Sequence, residues 1–362
     1  MLKSGTNPRR NVIALLGIPL CLLVLCACPA LRWLNPLGIW GSAGVFELAL
    51  SPDGRLSASA DADGMVRLRS LPWGNLVREL PTIARGAALS VAFSPDGTML
   101  ASGSRGRTAT GAPDGTSARV TIWRVDNGSL LQTLSATRGS VDAVAWSPDG
   151  RWLAAGGSDY GPGGAFNAPV SVWQVPSWQL QYQVHHGLPV RALAFSPDSR
   201  LLATATSGGV ELWDAPTGAA QGGLPVNAMA LNALQFSPDG RLLAAADSGA
   251  VVYVWEVSTQ NLLHTLREHT DQVFSVAWSP DGRRLASASG VKGDWLAFGP
   301  ESVIGDHTIR VWDTTSGRLV TSFNAHKEPI GGLVWLPDGA SLISGSLDGQ
   351  IRTWRMDSDS DR

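Results

Sequence analysis

The tetrapeptide Ser-Pro-Asp-Gly recurs through this chain, and no other feature restricts its fold so tightly. It stands at 51–54, 94–97, 147–150, 237–240 and 279–282. Two variants, Ser196-Pro197-Asp198-Ser199 and Leu336-Pro337-Asp338-Gly339, bring the set to seven. An apolar run precedes each copy and ends in an aromatic residue (Phe93, Trp146, Phe195, Phe236, Trp278, Trp335), with Leu50 in that place in the first copy. A second apolar stretch follows, as in Leu285-Ala286-Ser287-Ala288 or Leu242-Leu243-Ala244-Ala245. The pattern describes a tight hairpin: proline presets φ at the second position, aspartate bonds its own backbone at the third, and glycine relieves strain at the fourth. Seven hairpins at a period of roughly 40–55 residues mark a repeat architecture.

Each unit continues into a third strand that ends in tryptophan: Thr121-Ile122-Trp123, Ser171-Val172-Trp173, Glu211-Leu212-Trp213, Tyr253-Val254-Trp255, Arg310-Val311-Trp312 and Arg352-Thr353-Trp354. In the first unit Val66-Arg67-Leu68-Arg69 puts arginine there instead. A polar turn (Asn127-Gly128, Thr217-Gly218, Ser316-Gly317) leads to a fourth strand such as Leu130–Leu134 or Leu319–Phe323. Short, evenly spaced, β-branched and aromatic segments between turn residues predict an all-β protein, and no window beyond the N-terminus has a helical period.

Thr308-Ile309-Arg310-Val311-Trp312-Asp313, closing a unit that opens near His269, resembles a WD40 repeat, and the resemblance extends from about Leu34 to Asp357. The full Trp-Asp pair stands only at Trp213-Asp214 and Trp312-Asp313; elsewhere Arg124, Gln174, Glu256 or Arg355 replaces the aspartate. The resemblance implies a seven-bladed β-propeller, four antiparallel strands to a blade, around a central channel. It also implies a buried tetrad in each blade: a histidine, a Ser or Thr on the second strand, an aspartate in the turn after it, and the tryptophan. His269, Ser287, Asp306 and Trp312 fill one set, and His326, Ser344, Asp348 and Trp354 another. A third has His186, Thr204 and Trp213 but Ser207 at the aspartate position. Each group satisfies polar atoms that would be costly to bury alone, so these Ser, His and Asp residues read as structural rather than as a hydrolase triad.

The N-terminal segment is a separate matter. Lys3, Arg9 and Arg10 precede a run of 20 residues, 12–31, that carries no charge. At about 1.5 Å per residue a helix of that length just crosses the hydrocarbon of a bilayer. The expectation is therefore residues 1–31 as a basic start and a single hydrophobic helix, 32–357 as the propeller, and 358–362 as an acidic solvated tail. Three versions of the segment compete: an uncleaved anchor, a cleaved secretory signal, and a lipoprotein-type signal in which Leu25-Cys26-Ala27-Cys28 makes Cys28 the lipidated residue. In each, the basic residues ahead of the apolar run place the propeller outside the cytoplasm.

The last unit stops at Met356, too early to supply its own fourth strand, and the unassigned segment Leu34–Trp40 is expected to pair with 350–355 and close the ring. Pro36 then falls in an outermost strand, where a missing N–H is tolerable. The closing strand would start on the face carrying the Ser-Pro-Asp-Gly turns, which turns that face toward the bilayer and the other away from it.

Three insertions, 105–117, 159–168 and 291–305, lie between second and third strands and are expected on the outward face. They supply the candidate partner-binding residues Arg105, Arg107, Tyr160, Trp295 and Phe298. Asn127-Gly128-Ser129 also fits a glycosylation acceptor, although Asn-Gly is what a hairpin needs. A net charge of −2 gives no basic surface for nucleic acid. All three cysteines lie at or before Cys28, which removes a cysteine nucleophile or cysteine-ligated zinc from the repeats. No HExxH, paired Cys-x-x-Cys, phosphate-cradling or nucleophile-elbow motif is present, so no metal or cofactor is expected. The expected function is a membrane-tethered, non-catalytic platform for a protein or peptide partner. The alternative is an extracytoplasmic propeller enzyme, a metal-assisted hydrolase or lactonase using carboxylates in the channel.

Overall fold

The computed structural model describes residues 36–41, 43–83, 86–106, 118–137, 139–158, 168–290 and 305–356. Among them the chain forms twenty-eight strands in seven four-stranded antiparallel sheets, and no helix. The expected N-terminal helix and tail, and Arg107, Tyr160, Trp295, Phe298 and Cys28, lie outside the described residues.

Each hairpin turn is built as its residue types require. In the first, Gly54 N–H donates to Ser51 O at 2.8 Å, and Gly54 sits at φ +68°, where an L side chain would be strained. The serine does more than the sequence reading allowed. Ser51 Oγ donates to Asp53 Oδ1 at 2.6 Å and accepts the N–H of Leu56 at 2.8 Å, while Asp53 Oδ1 also takes the N–H of Arg55 at 3.0 Å. The buried hydroxyl thus ties both arms of the hairpin. Ser94, Ser147, Ser196, Ser237 and Ser279 repeat the bond to aspartate at 2.5–2.6 Å. Where Leu336 replaces serine, Ser341 Oγ donates to Asp338 from the other arm at 2.9 Å.

Seven apolar clusters hold the sheets together, one for each junction between neighbours. Ala58, Val66, Leu68 and Leu80 of the first sheet pack with Val91, Phe93 and Leu100 of the second, and the series continues around to Ala277, Ile309 and Phe323 with Leu333, Trp335 and Leu342. The seventh cluster joins the ends: Val45 and Leu48 of the first sheet meet Ile343 and Ile351 of the last. Such burial, about 1.5–3 kcal/mol for each large side chain, exists only because the ring is closed.

The last sheet has the order Pro36–Gly41, Gln350–Arg355, Ser341–Ser346, Ile330–Trp335. Pro36 lies opposite Trp354 and Gly38 opposite Thr353, so Leu37 is skipped. The sixth sheet skips Val320 in the same way, with Leu319 opposite Trp312 and Thr321 opposite Val311. The closing strand therefore carries the same bulge as an ordinary fourth strand.

Candidate functional site

Two of the expected tetrads assemble with every contact in place. His269 Nδ1 lies 3.1 Å from Asp306 Oδ2, and its Nε2 lies 2.7 Å from Ser287 Oγ, which also accepts Trp312 Nε1–H at 2.9 Å. In the next sheet His326 Nδ1 faces Asp348 Oδ2 at 3.0 Å, Nε2 faces Ser344 Oγ at 2.7 Å, and Trp354 Nε1–H donates to that oxygen at 2.8 Å. A carboxylate only accepts, so Asp348 sets the proton on His326 Nδ1 and leaves Nε2 to accept from the serine hydroxyl. At His269, Asp306 acts the same way, with the Arg310 guanidinium, which only donates, set against the same nitrogen. Burial lowers the pKa of both histidines against the pull of their aspartates, which keeps the rings neutral at pH 7. Burial alone would raise Asp306, but bonds from His269, Thr308, Thr270 and Arg310 outweigh it and hold the carboxyl well below the usual range.

The connectivity is that of a hydrolase triad, and the surroundings are not. Ser287 and Ser344 are 0% exposed, and an indole N–H already occupies each oxygen that would have to attack. These groups fasten strands. Asp306→Ala and Asp348→Ala are each expected to cost about 1–3 kcal/mol in urea unfolding, because a buried histidine N–H loses its acceptor.

The third set is incomplete. Trp213 Nε1–H donates to Thr204 Oγ1 at 3.0 Å, but His186 turns its edge to Trp213 and its Nε2 has no hydrogen-bond partner. Its carboxylate comes from Glu211, 3.5 Å from Nδ1, a residue on the third strand that the sequence reading missed. In the fifth sheet Ala245 occupies the place of Ser287, and the buried Trp255 Nε1 is left without a partner. Ala245→Ser is expected to raise stability by about 1 kcal/mol, read as a higher urea midpoint at unchanged slope.

A cavity of about 430 Å³ runs between the seven innermost strands. Just before the middle of six of these strands the ladder skips one residue, between Val45 and Glu47, Ala88 and Ser90, Val141 and Ala143, Leu231 and Ala233, Val273 and Ser275, and Ile330 and Gly332. A bulge re-aims the residue it frees. The freed residues Phe46, Leu89, Asp142, Asn232, Phe274 and Gly331, together with Arg191 at the same place before Ala192, all line the channel. One column of the repeat thus supplies a ring of six side chains and a glycine, five residues ahead of the first residue of each turn. Sequence reasoning passed over this column; its signal was that it varies while the position before it and the second position after it stay apolar.

Side chains from one sheet also close the edge of the next. Glu47 accepts Val91 N–H at 2.8 Å, Ser90 accepts Val144 N–H at 2.9 Å, and Ser275 accepts Leu333 N–H at 3.1 Å. Burial in the channel wall pushes the Glu47 carboxyl up to about 7, against bonds from Ser90 and Val91 that favour its ionised form. Asp142 is raised as well, by burial first, with Ser140, Arg105, Ser158 and Arg191 acting in opposition. Glu47 and Asp142 are the channel-lining carboxylates among the described residues, and both already accept hydrogen bonds. Arg105, expected to open an outward loop, lines the channel beside Asp142. Ile83, Leu188 and Met229, on loops that enter innermost strands, are 50%, 41% and 70% exposed.

The model of the WD domain, G-beta repeat (WD40) matches 35–70, 75–110, 128–160, 178–214, 222–256, 260–313 and 317–355. Each segment opens around the outermost strand of one sheet and runs into the next, through three strands in five cases and through two in 75–110 and 128–160, and the first opens at the closing strand. The WD repeat-containing protein SL1-17 of Schistosoma mansoni is 32% identical over 246 residues, 67% of this chain and 75% of that protein. The WD repeat-containing protein VIP3 of Arabidopsis thaliana is 31% identical over 176 residues, 44% of this chain and 49% of that protein. The small ribosomal subunit protein RACK1y of Oryza sativa subsp. japonica is 33% identical over 95 residues, 26% of each chain. The chain spans about half the length of VIP3 and about a quarter of RACK1y.

Proposed function

Because the chain belongs to the WD40 repeat family, its seven segments matching that model, we propose that it is a non-catalytic platform that binds a protein partner at the channel mouth bordered by the histidine-bearing loops. The observation that carries the reading is the mixed ring formed by the residues at the six bulges and Arg191, joined at the same end by the exposed Ile83, Leu188 and Met229. Met229 is held in place, its N–H donating to Asp247 at 3.0 Å, while its side chain projects into solvent. A fixed loop presenting an apolar side chain suits an anchor in an interface. The described strands that flank the insertions 105–117, 159–168 and 291–305 are second strands that end, and third strands that begin, at this same end. RACK1y is named as a ribosomal subunit protein and another relative as a subunit of chromatin assembly factor 1; both names describe parts of assemblies, which agrees with a platform role here.

The tether belongs to the same proposal. Residues 12–31 would hold the propeller to a membrane outside the cytoplasm, with the Ser-Pro-Asp-Gly end facing the lipid. Trp73, 77% exposed, and the exposed pairs Leu76-Val77, Leu262-Leu263 and Leu319-Val320 at the starts of outer strands support that orientation.

Photo-crosslinkers placed at Met229 and at Trp73 test the binding face. The platform reading expects partner adducts from Met229 and not from Trp73, and fewer adducts when 291–305 is deleted. Adducts from Trp73 alone would refute it. Partitioning into Triton X-114 of the full chain, of a chain lacking 1–31 and of Cys28→Ser separates an apolar anchor from a lipid; equal aqueous partitioning of all three would remove the tether.

A further inference from the structure

We propose that the channel mouth recognises a carboxylate on its protein partner, presented next to an apolar side chain. The inference rests on the platform reading and specifies its ligand. The six bulge positions and Arg191 are not mixed at random around the ring. Phe274, Gly331, Phe46 and Leu89 occupy four consecutive blades, and Asp142, Arg191 and Asn232 the other three. One arc of the mouth is therefore apolar and the other polar.

Arg105, leaving the second strand of its blade and bridged to Ser140 of the next, adds a second guanidinium to the polar arc. Both arginines act on Asp142 through space, and its carboxylate accepts Ser158 Oγ–H at 3.1 Å. Asn232 is oriented by its amide donors, Nδ2–H to Ser248 Oγ at 3.0 Å and to Val273 O at 2.9 Å, and its Oδ1, 3.3 Å from Ser248 Oγ, takes Arg191 Nη1–H at 3.3 Å. Arg191 is exposed, and a guanidinium offers five donors. The remaining donors point to a planar acceptor of opposite charge, for which an arginine fork is the matching shape. Glu47, one residue farther along its strand, is committed to Val91 N–H. Phe46, Leu89 and Phe274, half-buried, face the remaining half of the opening and favour an apolar neighbour of the carboxylate.

Fluorescence anisotropy with labelled, C-terminally amidated heptapeptides tests this. The probes carry a central glutamate, glutamine or lysine between leucines; a fourth, with no acidic side chain and a free C-terminus, separates a chain-end carboxylate from a side-chain one. The glutamate or the free-acid peptide is expected to bind about tenfold more tightly than the glutamine peptide, with the gap narrowing as salt rises. Arg191→Gln and Arg105→Gln should each close most of that gap. Asp142→Asn should widen it, a gain that a merely structural role would not give. Matching melting curves for the exposed Arg191→Gln variant exclude unfolding as the cause of a loss. Preference for lysine, or equal binding of all four probes, would overturn the carboxylate inference and leave the platform reading in place. No binding by any probe counts against the carboxylate, whereas the Met229 crosslink decides the platform independently.

Discussion

A chain that begins at Ser42 is expected to lose the native ring, appearing as aggregate or as an expanded species by size exclusion, with its buried tryptophan fluorescence shifted to the red. The segment it lacks pairs with Gln350–Arg355 from Pro36 opposite Trp354 to Gly41 opposite Gln350. Without it, the last sheet exposes a full row of backbone donors and acceptors, a template for pairing with other chains. At about 0.5–1.5 kcal/mol per hydrogen bond, the pairing alone is worth roughly 3–6 kcal/mol, a large share of the 5–15 kcal/mol typical of a whole domain. Trp354 and Ile351, 3% and 0% exposed, lie on the strand that would be uncovered. A peptide of residues 33–41 added in trans should restore part of the lost signal. Unchanged melting of the shortened chain would show that the pairing is dispensable.

Glu47→Gln is expected to stabilise the protein above neutral pH, by about 1–3 kcal/mol at pH 8, and to change little at pH 4.5. Glu47 titrates near 7 in the folded chain against an ordinary value of 4.5, so folding favours its protonated form. Its contribution to stability is complete below the unfolded value and is lost as pH rises through the folded one. A shift of this size corresponds to roughly 3 kcal/mol as an upper figure, one pKa unit being about 1.4 kcal/mol. Glutamine keeps a carbonyl oxygen for Val91 N–H and can never ionise. Urea midpoints from pH 4.5 to 8.5 check this: the slope should flatten in the variant. What slope remains in that direction belongs to Asp142, which is raised as well. Asp306 and Asp348, held low, act the other way and withdraw stability as pH falls toward acid. A variant whose pH profile overlays the parent would show that Glu47 is solvated.

The parts of this fold that depend on local chemistry were legible in the sequence. Pro-Asp-Gly specifies a turn wherever it stands, and tryptophan at the end of each third strand marks the unit. The tetrads around His269 and His326 could be placed because the histidine and serine sit at fixed offsets from those turns and the aspartate at a fixed offset from the tryptophan. What escaped was set by tertiary geometry. Strict alternation assigns Asp142 and Asn232 to a face that the bulge changes, and a bulge leaves no signature in one copy of a repeat. Arg105 read as the start of a loop because its own unit gives no hint that the neighbouring Ser140 will bridge it. Glu211 escaped because the aspartate position of its unit was sought at Ser207, in the turn, while the carboxylate stands on the strand. The serine of each turn was counted as part of a motif without its role in bridging both arms being seen.

The bulge has a consequence for how such a protein changes over time. In six of the seven blades it withdraws one residue from the ladder, at a site that neither the backbone pairing nor the inter-blade clusters use. Selection can therefore rewrite those letters one at a time, except at Gly331, where an added Cβ would lie 2.5 Å from Phe46 O, altering what the ring accepts while its architecture stays under separate constraint. Two chains of this build with nearly identical frames would then share no ligand, and comparing only this column would sort them sooner than comparing whole sequences.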